Sequence, residues 1–321
     1  MEIENEIPVL KNYKLSFNGQ GKAYFGIIIV NWLLTLLTLG FYYPWAKVRS
    51  LRYLYSSTSF NKDSFTFHGT GREMFIGFIK TTVILGLIGG LTFLFVFLEM
   101  PVLGGLLFYF AFIALVPVAI HGSYHYRFSR TSWNGIHFGY RGDRNELFSG
   151  YFKWIFFTII TLGIYGSWMR IKLRGYLLNN VRAGNVEFKY KGISSEYFIL
   201  NLKGYLLSLM TLGIYSPWWQ KDRFAYYINN LTFNKDNQQI RMKSTATGGD
   251  FFKLDIVNAL LFIFTLGFGY AWIATRTLKF VTAKIKLAGD MDLDNIQQTE
   301  EDYNDATGDD LTGLLDINFI I

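Results

Sequence analysis

The sequence predicts an α-helical polytopic membrane protein with short β-hairpins between its membrane segments. The first observation is composition: 51% of the 321 residues are hydrophobic and 19% aromatic, which is rare in a soluble domain. The second is a Thr-Leu-Gly sequence that occurs four times, each time at the end of an apolar stretch. The third is the apolar stretches themselves, at about 24–43, 75–98, 101–120, 147–165, 197–215 and 252–272.

The first 22 residues form a polar N-terminal segment. Glu2, Glu4 and Glu6 stand where a signal peptide carries positive charge, and the first apolar run begins near Tyr24. We therefore expect the first membrane segment of the chain itself to direct insertion.

The second and third apolar stretches predict a helical hairpin over 75–120. Each has the roughly 20 apolar residues that cross a hydrocarbon core of ~30 Å. Glu99, Met100 and Pro101 form a polar turn between them.

The other four stretches share one sequence pattern. Thr-Leu-Gly begins at Thr38, Thr161, Thr211 and Thr265, and a Trp follows each Thr by seven positions. These tryptophans are Trp45, Trp168, Trp218 and Trp272. Such regular self-similarity predicts an internal repeat, in which a membrane segment, a basic amphipathic helix and a β-hairpin follow one another.

The repeat predicts the domain organisation. A repeated membrane domain covers 23–286, with units at about 23–73, 101–146, 147–195, 196–250 and 251–290, and the tail covers 287–321. The positive-inside rule places the basic residues after every segment on one face. If the four shorter stretches span, neighbouring hairpins lie on opposite faces. If they re-enter at Gly, all hairpins share a face and could pair into one β-structure; charge favours this second arrangement slightly.

Four polar residues within apolar stretches are the candidate intramembrane site: Asn31, Lys153, Lys203 and Asn258. A polar group in hydrocarbon is costly unless protein or water covers it, so such residues are often functional. The alternative is that they only form hydrogen bonds between helices.

The tryptophans and the basic residues predict contacts with lipid. Trp45, Trp168, Trp218 and Trp272 are expected to be interfacial anchors, or to converge on a pore or lipid site. Nucleic-acid binding is excluded because the basic residues alternate with apolar segments. The bilayer, including its anionic lipids, is the expected partner, and the basic residues expected to face lipid are Arg49, Arg52, Arg141, Arg170, Lys191 and Arg223.

No pattern in the sequence indicates catalysis, a cofactor or a metal. There is no cysteine, nucleotide loop or catalytic triad. His121 and His125 have helical spacing but lack further zinc ligands. Asp290, Asp292 and Asp294 resemble part of a calcium loop, but they belong to a tail, 287–321, with ten acids and no base. We expect this tail to be solvated or to dock on the basic hairpins.

The sequence also resembles a known family. Phe17-Asn18-Gly19, Asn31 and Thr38-Leu39-Gly40 are part of the match, and the run from Tyr43 to Arg49 is its most specific element. Together with Arg52-Tyr53 and the Phe65-x-Phe67-x-Gly69 pattern, they look like the YjgN family of bacterial inner-membrane proteins. The resemblance covers nearly the whole chain and implies a multi-pass protein of the inner membrane. It implies no activity, because the function of the family is unknown.

Two hypotheses of function follow. The first is a transporter, channel or lipid-handling protein with the broken segments around a central site. The second is a non-catalytic scaffold whose basic cytoplasmic face recruits lipids or proteins.

Overall fold

The computed structural model describes residues 11–299, in which ten α-helices form five consecutive antiparallel pairs. Each helix pair is followed by strand residues that join one sheet. The pairs are α1 Gly21–Leu37 with α2 Tyr43–Ser56, α3 Gly71–Phe97 with α4 Pro101–Ser129, α5 Arg144–Ile160 with α6 Gly166–Asn179, α7 Ser194–Met210 with α8 Ser216–Asn229, and α9 Gly248–Phe264 with α10 Tyr270–Ala283.

Eleven short strands in the described residues form a single antiparallel sheet. They are β1 Lys11–Tyr13, β2 Leu15–Phe17, β3 Thr58–Phe60, β4 Asp63–Phe67, β5 Thr131–Trp133, β6 Ile136–Tyr140, β7 Val181–Ala183, β8 Val186–Tyr190, β9 Leu231–Lys235, β10 Gln238–Ser244 and β11 Ile285–Gly289.

The sheet closes on itself through the N-terminal segment. Its strand order is β1-β11-β10-β9-β8-β7-β6-β5-β4-β3-β2, and only Lys14 separates β1 from β2. One extended segment thus pairs with β11 through Tyr13 and with β3 through Leu15. Since a closed sheet has no free edge, each hairpin finds partners on both sides.

The predicted fold class, a helical polytopic membrane protein with short β-hairpins between its membrane segments, is wrong. Eleven strands form one near-barrel sheet, and within residues 11–299 only α3 and α4 are long and apolar enough to cross a membrane. The hairpins do pair into one β-structure, as the sequence allows for hairpins that share a face. The physical reason is that an isolated two-stranded hairpin is only marginally stable in water. Hairpins that pair edge to edge in one sheet stabilise each other. The segment 1–22, predicted only as polar, supplies β1 and β2.

The sheet has one polar and one apolar face. Paired residues share a face, so Phe188, Phe233 and Ile240 form an apolar row across three strands. Their neighbours Glu187 and Asn234 lie on the other face. Aromatic rings of the apolar row pack edge to face, as Phe188 and Phe233 do at 4.6 Å between ring centroids and 73° between ring planes.

Residues 290–299 cross the hairpin ends of this sheet. The Tyr13 hydroxyl donates to the Met291 carbonyl, and Lys235 Nζ donates to the Asn295 carbonyl at 2.7 Å. Further on, the Thr299 hydroxyl donates to the Gly184 carbonyl at 2.7 Å. This part of the tail is therefore packed against the sheet, and Met291 is only 1% exposed. The rest of the acidic tail lies outside the described residues.

Candidate functional site

The four Thr-Leu-Gly sequences form the corners between paired helices, and they share one backbone geometry. Their leucines have φ of 49–50° and their glycines φ of 87–95°. At the first corner the Gly40 N–H donates to the Thr35 carbonyl at 2.7 Å, which ends the helix as a Schellman-type motif does. The Thr38 hydroxyl accepts the Tyr42 N–H at 2.9 Å and so starts the next helix.

The corner leucines are the most exposed apolar residues of their helix pairs. Their exposed fractions are 90% for Leu39, 94% for Leu162, 94% for Leu212 and 87% for Leu266. This position usually holds glycine, because a side chain in the left-handed region costs roughly 1–2 kcal/mol. Leucine therefore occupies a strained position without any contact in the fold that requires it. We call the four corners, 38–41, 161–164, 211–214 and 265–268, the apolar tips.

The four corner tryptophans occupy one common environment. Each indole packs against the aromatic residue in the first turn of the following odd-numbered helix, as Trp45 does on Phe75 at 5.0 Å and Trp168 on Phe198 at 4.8 Å. Trp272 packs in the same way on Phe25 of α1, so the contact also joins the last helix to the first. The tryptophans hold neighbouring helix pairs together, while the headgroup anchoring predicted from the sequence stays a prediction.

Asn31 and Asn258 each bridge the two helices of their own pair. Asn31 Nδ2 donates to the Ala46 carbonyl at 2.9 Å, and Asn258 Nδ2 donates to the Thr277 hydroxyl at 3.2 Å. Their Oδ1 atoms are buried without a hydrogen-bond partner. These contacts are hydrogen bonds between helices, as in the alternative to an intramembrane site.

Lys153 and Lys203 do not join these asparagines in a shared site. Both side chains are exposed on the outer surface of α5 and α7. Each lies eight residues before the corner threonine, so everything between the ammonium group and the tip is apolar or uncharged.

The six predicted lipid-facing basic residues lie in different settings. Arg52 donates to the Gly69 carbonyl at 2.8 Å, Arg170 contacts the Tyr197 hydroxyl at 3.4 Å, and the Arg223 guanidinium lies over the Trp219 ring at 4.7 Å. Arg49 in α2 is exposed, as are Arg141 and Lys191, which follow β6 and β8.

The polar face of β7 to β11 is strongly basic. Glu187 is the one carboxylate there among the described strand residues, and it is bridged by Arg182 at 2.7 Å and by Lys189 at 2.8 Å. Sequence reasoning missed this surface, because only the register between hairpins brings its residues together. Its basic residues are Arg182, Lys189, Arg241, Lys243 and Lys286.

The described residues hold no group of three or more His, Cys, Asp or Glu able to bind a metal ion. Asp290 Oδ1 accepts the Gln239 N–H at 2.8 Å, and Asp292 accepts from Asp294 and Asn295. These aspartates therefore shape the tail. His68 Nε2 lies 2.7 Å from the Ser132 hydroxyl, and burial together with His137 lowers the pKa of His68.

Sequence reasoning also missed three glycines that begin helices. A Cβ at Gly71 would lie 2.2 Å from the Trp45 ring, and Gly248 and Gly21 meet Trp218 and Trp272 in the same way. The signal was present, because an aromatic residue follows each of these glycines by four positions: Phe25, Phe75 and Phe252.

Comparison with known proteins gives relatives from enteric bacteria. "Inner membrane protein YjgN" of Salmonella typhimurium (strain LT2) is 36% identical over 138 residues, which are 40% of this chain and 32% of that protein. The protein of the same name from Escherichia coli K12 is 31% identical over 163 residues, 51% of this chain and 38% of that protein. The chain thus matches only about a third of the length of these relatives. No solved structure matches the chain.

These relatives and the exposed apolar helices α3 and α4 agree that the chain is an integral membrane protein, and the relatives locate it to the bacterial inner membrane. The sequence-based resemblance to the YjgN family is confirmed. The chain also matches, over residues 12–194, 185–238 and 234–314, the family described as "Bacterial protein of unknown function (DUF898)". It belongs to that family of bacterial proteins.

Proposed function

We propose that this chain is a non-catalytic, multi-pass scaffold of the inner membrane. In this proposal α3 and α4 span the bilayer, the other four helix pairs re-enter it as repeats of one element, and the sheet lies on the cytoplasmic side. The basic face of the sheet then recruits lipids or proteins that carry negative charge.

The leucines at the apolar tips carry this proposal. In water, a leucine at φ near 50° costs roughly 1–2 kcal/mol and gains nothing from its exposed side chain. In lipid, removing that side chain from water gains roughly 1.5–3 kcal/mol. The free energy therefore favours leucine over glycine only if the tips lie in hydrocarbon.

The single sheet supports an arrangement on one side of the membrane. Both ends of every helix pair connect to strands of this sheet, so an even number of passes separates neighbouring hairpins. Backbone polar groups in a membrane must be hydrogen-bonded within the protein, and the corner Thr hydroxyls and Schellman-type bonds satisfy N–H groups of the tips in this way. The excess of basic residues on the sheet favours the cytoplasm for this side.

The transporter hypothesis receives less support from the geometry. It required Asn31, Lys153, Lys203 and Asn258 to line a common site. Instead, Asn31 and Asn258 bond within separate helix pairs, and the two lysines are exposed. Transport, like lipid handling, stays a prediction from the sequence.

Cysteine labelling tests the proposal directly, since the natural chain contains no cysteine. Single cysteines are introduced at exposed sheet positions, at Glu99 in the α3–α4 turn and at the four tip leucines. We expect an impermeant maleimide to label all sheet positions from the cytoplasmic side, Glu99 from the other side, and the tips from neither. The sheet positions are Ser64 in β4, Lys191 directly after β8, Asn237 in the β9–β10 turn and Lys286 in β11.

Labelling of two sheet positions from opposite sides contradicts the proposal. So does rapid labelling of the tips in intact membranes. Cysteine at Leu98, beside Glu99, is a control for accessibility at the end of a spanning pair.

A further inference from the structure

We propose that the four apolar tips insert into one leaflet only, and that the chain thereby favours membranes that are convex on the side of the sheet. This inference rests on the proposed function, since it requires re-entrant helix pairs. It adds an activity, the sensing or generation of membrane curvature.

The length of the spanning helix α3 gives a reference for how deeply the shorter helices enter the bilayer. Helices α1, α3 and α9 begin at an equivalent position, because Gly21, Gly71 and Gly248 each lie under a corner tryptophan. From that start α3 has 27 residues, whereas α1 and α9 have 17. The ten additional residues extend α3 by about 15 Å, since an α-helix rises 1.5 Å per residue.

This difference places the tips no deeper than about the middle of the bilayer. If Glu99 at the end of α3 reaches the far headgroups, the tips of α1 and α9 stop at least about 15 Å short of them, which is half of a hydrocarbon core of ~30 Å. The ring of Phe41 in the first tip lies 6.4 Å from that of Phe78 in α3, well before the end of that helix at Phe97, which agrees with a tip in the near half of the bilayer. The positions of the lysines in α5 and α7 agree with this depth. Lys153 and Lys203 lie about 12 Å above the corner threonines, within reach of the near headgroups for a long side chain.

The tips carry nothing that would draw them to the far side. The residues from Thr161 to Ile164 and from Thr211 to Ile214 contain no charged group, and neither do the other two tips. Their exposed apolar side chains are leucine, isoleucine and phenylalanine. By contrast, the turn of α3–α4 carries the exposed Glu99, as a turn at the far headgroups requires.

Insertion at this depth expands one leaflet more than the other. A helix with its side chains is about 10 Å wide, so four re-entrant pairs add about 600 Å² to the near leaflet. The pair α3–α4 adds equal area to both. Because the two leaflets are held together, the surplus area is accommodated best where the near leaflet is convex, as for shallowly inserted helices.

Reconstitution of the full chain tests this inference. The chain, with one cysteine at Lys286, is placed in vesicles of phosphatidylethanolamine and phosphatidylglycerol of mixed size. An impermeant dye then marks only the copies whose sheet faces outward. We expect their density per membrane area to be at least about twofold higher on vesicles of about 50 nm than on those of about 400 nm. Copies whose sheet faces inward should show the reverse preference.

A pair of matched variants assigns the effect to the tips. Leu162→Lys with Leu212→Lys withdraws two tips from hydrocarbon and should reduce the enrichment on small vesicles. Met100→Lys places a charge at the end of the spanning pair and should leave the enrichment unchanged. Far-UV circular dichroism establishes that both variants retain their helices.

The outcomes separate this inference from the proposed function. Equal density at all vesicle sizes, with tip cysteines quenched by lipids brominated near the bilayer centre, overturns the curvature inference and leaves the scaffold intact. Tip cysteines that react from the far side of the membrane, or from water on the near side, overturn both.

Discussion

The Trp272 indole lies against Gly21, although 251 positions separate them: a Cβ on Gly21 would lie 2.4 Å from the Cδ1 atom of Trp272. The same contact joins Trp45 to Gly71 and Trp218 to Gly248 between successive helix pairs. The last and first helix pairs are thus packed like neighbours in the chain, as the pairing of β1 with β11 requires.

We expect Gly21→Ala to destabilise the protein. The added methyl group must displace the Trp272 ring, and overpacking of this kind costs about 1–3 kcal/mol. Gly26→Ala, in the same helix, is the matched control, because a Cβ there meets nothing within 4 Å. Thermal unfolding in detergent should give a lower Tm for Gly21→Ala only; equal Tm values for both variants would contradict the close contact.

Leu212→Asn should weaken insertion of its tip and leave the corner intact. Asparagine tolerates the left-handed region better than leucine does, so the backbone should keep its φ of 50°. The polar amide, however, is disfavoured in hydrocarbon. A fluorophore on a cysteine at Ile214 should be quenched less by lipids brominated near the bilayer centre. Leu212→Met keeps an apolar side chain and should preserve the quenching; an unchanged signal in the asparagine variant argues against a buried tip.

Asn258 and Thr277 should be coupled energetically across α9 and α10. Their side-chain hydrogen bond is 3.2 Å long, and such bonds between membrane helices average ~0.6 kcal/mol. We expect a double-mutant cycle of Asn258→Ala and Thr277→Val to return about this coupling energy, with membrane insertion intact. A coupling near zero would refute a bridging role and favour a ligand site at Asn258.

The carboxylate of Asp250 should contribute a stability that depends on pH. The Lys284 ammonium group, 2.8 Å away, and the capping contacts of Thr247 lower the pKa of Asp250 to about 2. Because this folded-state pKa lies below the unfolded value, the stabilisation is complete above about pH 4 and is lost as pH falls toward about 2.

Asp250→Asn should therefore unfold at a lower temperature than the natural protein near neutral pH, and the gap should narrow as the pH falls from about 4 to about 2. Lys284→Gln removes the main cause of the shift and should reduce the pH dependence. A gap between the natural protein and Asp250→Asn that is constant with pH is incompatible with the ion pair.

Met291→Ala should destabilise the sheet. Met291 is 1% exposed, and truncation of a buried methionine costs about 2–5 kcal/mol. Met100→Ala is the control, because Met100 is 49% exposed at the end of α3. Chemical denaturation followed by circular dichroism measures both. A loss below about 1 kcal/mol for Met291→Ala would show that residues 290–299 do not stabilise the sheet.

Local features of this fold could be predicted from the sequence, whereas its closure could not. The helical hairpin around Glu99 and the corners at Thr-Leu-Gly follow from apolar length and from the residues that end helices. The pairing of Tyr13 with Leu287 joins the two ends of the described chain, and no local pattern specifies it. The alternation of Tyr13, Leu15 and Phe17 was nevertheless a strand signal within a segment predicted only as polar.

In the candidate site, too, the residues could be predicted from the sequence but their contacts could not. Asn31 and Asn258 were found from their polarity in apolar stretches, but only the structure shows which helix each one contacts. The strain at Leu39 and its equivalents was invisible in the sequence, because leucine is ordinary within an apolar run. Their backbone conformation and their exposure, both visible only in the structure, distinguish these leucines from their neighbours.

The pairing of β1 with β11 has a consequence for biosynthesis. While the ribosome is still translating, Lys11–Tyr13 has no strand beside it, and its partner Leu287–Gly289 is among the last described residues to be made. Every incomplete nascent chain therefore exposes two unpaired strand edges, which are sites of aggregation. The early helix pairs must therefore remain in the bilayer with the sheet incomplete until β11 is synthesised. Protection of the unpaired edges by a chaperone, or prompt delivery to the insertion machinery, would be most important just before that last strand emerges.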